Sequence, residues 1–153
     1  MNIYTDHAAL DATVRRLNGI LAGYQIFYQT LRGFHWNIRG KDFFEMHALF
    51  EKWYYDAAEK IDALAERILT LGAIPLHGFE EYITASPLQS VKNIDRSGPA
   101  MEWIKRALEI LLHNERELWE HASAHGDEGT AAMMSAYMEE QEKLLWMIKA
   151  YLS

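Results

Sequence analysis

The chain has 153 residues, half of them apolar and 24% charged, which is enough to bury roughly 70% of its unfolded surface within one domain. It contains no cysteine, which excludes disulfides, thiolate metal sites and thiol nucleophiles and leaves His and carboxylates to do any metal chemistry. A net charge of −7 and a first ten residues without Lys or Arg argue against nucleic acid as the primary partner. The amino-terminal segment lacks the basic start and apolar core of a signal peptide, and no apolar run approaches the ~18 residues of a membrane span, so a cytoplasmic address is expected.

Four long stretches carry helical periodicity and no window alternates as a strand does, so the chain is expected to be all-α. The first helix is expected from Thr5, its predicted N-cap, to Gly33, with Leu10, Val14, Leu17, Leu21, Tyr24, Tyr28 and Leu31 at intervals of three and four. After a break at residues 37–41, Asp42 is expected to cap a second helix of about 30 residues that ends at Gly72, ahead of Pro75. Between Gly72 and Ser97 the composition shifts to Pro, Ser, Gly and Asn, with room for one short helix around Phe79 to Thr84. A crossover of that length lets the third long helix start at the far end of the molecule. Ser97-Gly98-Pro99 reads as its beginning, with Ser97 at or just before the N-cap, and it continues from Met101 to about His125. Gly126-Asp127-Glu128 separates it from a last helix running to Leu152. Four long helices with one long crossover, in a single domain over residues 1–153, match a ferritin-like four-helix bundle.

The chemistry centres on His35, His47, Glu51, Asp62 and Glu66. Two imidazoles and three carboxylates suit iron. At 100° per residue, His47, Glu51, Asp62 and Glu66 fall at about 0°, 40°, 60° and 100°, a single stripe of the second helix. Yet the His47/Glu51 pair and the Asp62/Glu66 pair are centred about 22 Å apart along the axis. One metal cannot reach both pairs on one helix. The half-sites meet if a second copy of the helix runs antiparallel against the first, with a two-fold axis near Asp56 and Ala57. Each of two equivalent sites then takes His35, His47 and Glu51 from one chain and Asp62 and Glu66 from the other. The competing intrachain design uses Glu-x-x-His pairs, and none of the seven His has Glu three residues before it.

Phe34-His35-Trp36-Asn37, then Gly40-Lys41-Asp42-Phe43-Phe44 and His47, resembles the Dps family, the DNA-binding proteins from starved cells. Eleven, three, ten and three residues separate the successive ligands, which is the family's ferroxidase spacing. The likeness continues through Ala65-Glu66-Arg67-Ile68 and Leu71-Gly72-Ala73-Ile74-Pro75 to Asp127-Glu128-Gly129-Thr130 and Trp146-Met147. The resemblance implies a hollow homododecamer that oxidises Fe(II), preferentially with hydrogen peroxide over dioxygen, and keeps ferric mineral inside. The chain departs from the family in several places: Glu51 stands where Asp is common, and Ala48 and Lys52 replace carboxylates that nucleate mineral. Ala132 fills a position often acidic near the three-fold pore, which leaves Asp127 and Glu128 as candidates for its acidic lining.

Singly, these residues have plainer readings. Asp62 and Glu66 flank Arg67 and fit a solvated, ion-paired face; it is the joint spacing that points to metal. Trp36, beside a ligand, reads either as packing or as a wall that keeps water and stray oxidising equivalents from the site. His113, Glu117, His121 and His125 recur every four residues and form a stripe that fits solvent-facing polar residues or a second metal site. Two rival functions remain: a nucleoid-compacting DNA-binding protein, the activity that named the family, and an architectural bundle without metal. Relatives that bind DNA commonly use Lys/Arg-rich tails, and neither end of this sequence carries one.

Overall fold

The computed structural model describes residues 3–153. Among these it has no strand and five helices: α1 (His7–Asn37), α2 (Phe43–Thr70), α3 (Phe79–Ala85), α4 (Ser97–Ala124) and α5 (Glu128–Leu152). Two antiparallel hairpins, α1 with α2 and α4 with α5, pack into a four-helix bundle, and α3 lies in the crossover against α1. Leu21, Phe50, Leu108 and Met134, one from each long helix, are fully buried. Burial of each such side chain contributes about 1.5–3 kcal/mol, so the helices are held mainly by this common core.

The ends of the helices refine the sequence expectation. Asp6, not Thr5, is the N-cap of α1, and its carboxylate accepts the Ala8 N–H at 2.9 Å. Gly33 does not end that helix. The buried stripe continues through Leu31 and Phe34 to Ile38, and keeping those residues inside carries α1 on to Asn37. His35 therefore stands on a helix. Asp42 is the N-cap of α2 but its side chain makes no cap bond; the Met46 N–H bonds its backbone carbonyl instead. Arg96 is the N-cap of α4, which puts Ser97 inside the first turn. Pro99 is harmless there because first-turn N–H groups have no helical acceptor.

Gly72 and Gly126 follow α2 and α4 at φ +85° and +72°, the left-handed backbone that a Schellman turn requires. Both turns are complete: Gly72 and Ala73 N–H bond Leu69 and Ile68 carbonyls, and Gly126 and Asp127 N–H bond Ser123 and Ala122 carbonyls. The crossover ends beside the α1–α2 connection, where the Arg39 N–H donates to the Asp95 carbonyl at 2.9 Å and their side chains pair at 3.2 Å. Consequently α4 runs parallel to α2. Trp103 near its start packs on Phe27 and Phe34, and Arg67 near the end of α2 reaches Asp127 just beyond its other end.

Candidate metal centre

His35, in the last turn of α1, and His47, in the second turn of α2, face each other across the helical hairpin. Their rings stack with centroids 3.7 Å apart and planes 12° from parallel. His35 Nδ1 lies 2.6 Å from the His47 carbonyl oxygen, and His47 Nδ1 lies 2.7 Å from the His35 carbonyl oxygen. A carbonyl only accepts, so each Nδ1 carries the hydrogen, which in a neutral imidazole leaves the lone pair on Nε2. That is the tautomer a metal needs, fixed by the backbone in the way that partners behind a ligand usually fix it. Tyr54 stands edge-on to His35 and Phe43 stacks on His47, so both rings are clamped. His35 is buried and His47 and Glu51 are half-buried, while Asp62 and Glu66 are exposed.

Among the described residues, neither Asp62 nor Glu66 has an ion-pair partner. Arg67 is not their counter-ion: its guanidinium turns to Asp127 at 2.7 Å and Thr130 at 3.0 Å. Within one chain, the described residues bring no three His, Asp or Glu side chains together as a metal cage. His35 and His47 are thus assembled by the fold, and Asp62 and Glu66 stand farther along the same helix. A cavity of about 500 Å³ lies between α1 and α3, around Tyr28, Arg32, Phe79 and Ile83, and includes none of the five residues.

Several secondary expectations change. Asp127 cannot line a pore, because it is fully buried and accepts bonds from Arg67, Tyr4 and the Thr130 backbone; Glu128 alone of that pair is exposed. Trp36 is 56% exposed in the chain, with the Arg32 guanidinium 4.8 Å over its ring. The His113 stripe is used up locally: His113 pairs with Glu117, His121 Nε2 donates to the Ala9 carbonyl and His125 Nδ1 to the His121 carbonyl. Sequence reasoning missed two buried polar clusters, Tyr4–Arg67–Asp127 and Tyr24–Glu115–Gln141. The second had a visible signal, since Glu115 continues the core spacing of Leu108, Leu111 and Leu118.

With this geometry established, comparison with known proteins gives a consistent answer. The ferritin-like domain family matches residues 14–153. A DNA protection during starvation protein of Porphyromonas gingivalis is 42% identical over 138 residues, covering 90% of this chain and 87% of the relative. The solved DPS protein of Vibrio cholerae O1, described as a member of a broad superfamily of ferritin-like diiron-carboxylate proteins, superposes with a TM-score of 0.95. It shares 47% identity, with 97% of this chain and 93% of that one covered. The Dps of Staphylococcus aureus is similar at 29% identity and a TM-score of 0.89, over 92% and 95% of the two chains. The fold is that of a ferritin-like protein. Within that class, the chain belongs to the Dps family.

Proposed function

We propose that this protein oxidises Fe(II) at sites shared between two subunits and stores the ferric product inside a hollow dodecamer. Iron storage and protection are the general role that the family supports; the site, the oxidant and the assembly are our reading. The observation that carries it is the reciprocal Nδ1-to-carbonyl bonding of His35 and His47, which engages both Nδ1 atoms and leaves both Nε2 atoms free to bind a metal. A second support is the surface that surrounds them. Phe44, Tyr55 and Leu69 are 83%, 59% and 57% exposed and fall at about 60°, 80° and 40° on the ligand stripe of α2. Large apolar side chains left open beside unpaired carboxylates suit a helix that meets a second copy of itself.

In this arrangement His35, His47 and Glu51 take iron from one side, and Asp62 and Glu66 of the partner subunit close it from the other. Two Fe(II) ions supply the two electrons that hydrogen peroxide needs to break its O–O bond, and two protons complete two waters. Paired delivery avoids the one-electron route to hydroxyl radical. The carboxylates favour the product, because each gain of positive charge on iron strengthens its attraction to hard anionic oxygens. His35 and His47 hold position, since the backbone carbonyls prevent their rings from turning.

The direct test is to add Fe(II) and peroxide to the purified assembly. Ferric colour should develop in a particle of about 214 kDa for twelve copies of 17.8 kDa. A protein that stays colourless would favour the architectural reading, and a stable monomer that still oxidises iron would refute the shared site. For DNA, twelve copies at −7 each carry about 84 negative charges and repel phosphate. Linear DNA should therefore not shift in a gel at physiological salt and pH 7.5, with weak retardation only as the pH is lowered towards the isoelectric point of 5.5. Tight, salt-sensitive binding at pH 7.5 would overturn this and restore the nucleoid-binding alternative.

A further inference from the structure

The interior of the bundle holds a carboxyl group that the iron site does not use. Glu115 is fully buried on α4. Its Oε1 accepts the Tyr24 hydroxyl of α1 at 3.2 Å, and that hydroxyl accepts the Gln141 amide of α5. Two oxygens are left over. Glu115 Oε2 and Gln141 Oε1 are both buried without a hydrogen-bond partner among the described residues. Both are acceptors when Glu115 is ionised, so the cluster is short of a donor.

Among the described residues no free cation fills the gap. Lys60 of α2 is the ammonium that the cluster faces, and its Nζ already donates to Asp56 at 2.6 Å and Glu140 at 2.9 Å. The other ionisable neighbours are neutral or negative: Tyr24 on α1, Asp56 on α2, and Tyr137 and Glu140 on α5, with Tyr137 edge-on to Tyr24. Leaving a buried anion with an unsatisfied oxygen is costly, whereas a proton on Oε2 removes the charge and turns an orphan acceptor into a donor.

We propose that Glu115 is protonated at neutral pH and acts as a proton-held latch on the bundle, which loosens when alkali removes the proton. Three helices, α1, α4 and α5, meet at this group, so an unpaired charge there acts on their common core. Burial is the main cause, pushing the carboxyl up to about 8 against the opposing pull of the Tyr24 hydroxyl, the nearby Gln141 amide and the Lys60 charge. In the unfolded chain the same carboxyl ionises near its ordinary value of 4.5. Between those values the folded state holds one more proton, so this group's contribution to stability is full at low pH and declines until the folded carboxyl has ionised.

The test compares melting of the assembled protein with that of Glu115→Gln between pH 5 and 9, at matched concentration. Gln keeps the shape and cannot ionise, so other titrating groups cancel in the difference. The wild type should lose melting temperature relative to the variant as the pH rises; a difference that stays constant would overturn the proposal. Should the variant fail to assemble, infrared spectra of the wild type with ¹³C-labelled Glu decide. A protonated-carboxyl band present at pH 7 and lost through pH 8 to 9 supports the latch, and absence of that band at pH 7 refutes it.

Discussion

Two variants that are each inactive should recover iron oxidation when they are co-assembled. One carries His35→Ala and His47→Ala, the other Asp62→Ala and Glu66→Ala. In a homodimer of either, every shared site is broken in one half, so each alone should oxidise Fe(II) near background. In a mixed dimer, one site combines both broken halves. The other joins His35, His47 and Glu51 of the second variant to Asp62 and Glu66 of the first, and is intact. Peroxide-dependent oxidation should therefore return to about half the wild-type rate per mixed dimer. The large contrast follows from the distance that α2 imposes: the two half-sites on one copy are about 22 Å apart, well beyond the reach of one metal. An intrachain centre allows no rescue. Mixed dimers shown to have formed, yet still inactive, would refute the shared site, and activity of both variants alone would show that these four residues are not the site.

The parts of this molecule that obey helical periodicity were readable before any coordinates. Leu17, Leu21, Tyr24 and Leu31 repeat at the spacing that keeps one face of α1 buried, and Gly72 and Gly126 mark helix ends because only left-handed backbone completes those turns. Gly33 misled for a related reason. A glycine inside a helix is a weak signal when the apolar stripe continues past it, and Phe34 and Ile38 outweigh it. At the candidate site, spacing along α2 gave the stripe and the separation of the half-sites. It did not reveal that His35 and His47 fix each other's tautomer, because that depends on how closely α1 and α2 approach. Asp127 shows the limit most clearly. Next to Glu128 and Gly129 it reads as an exposed loop acid, and only the tertiary return of Arg67 and Tyr4 makes it interior.

That return makes Asp127 a sensitive charged position for stability. Its Oδ1 accepts Arg67 Nη2 at 2.7 Å and the Thr130 N–H at 3.1 Å, and its Oδ2 accepts the Tyr4 hydroxyl at 2.8 Å. One carboxylate thus ties the amino-terminal segment and α2 to the first turn of α5, which it also caps. Burial by itself would raise its pKa, but the Thr130 and Tyr4 bonds and the Arg67 charge prevail and hold it below the usual carboxylate value. Asp127→Asn keeps the shape but removes the charge, and leaves the Arg67 guanidinium, whose side chain is only 16% exposed, without its partner. Breaking a buried pair from one side costs about 3–5 kcal/mol, and the partial exposure of Arg67 places this case near the lower end. For a domain of this size, ~3 kcal/mol corresponds to a fall of roughly 6–12 °C in melting temperature. The pH dependence separates lost charge from lost shape. A depressed folded-state pKa supplies stability above the ordinary carboxylate value, and that stability disappears as the pH falls through the folded value. The wild type should therefore lose its advantage over Asp127→Asn as the pH drops below about 4. Equal melting temperatures at pH 7, or a gap that persists unchanged into acid, would show that the Arg67–Asp127 charge pair does not hold the helix ends together.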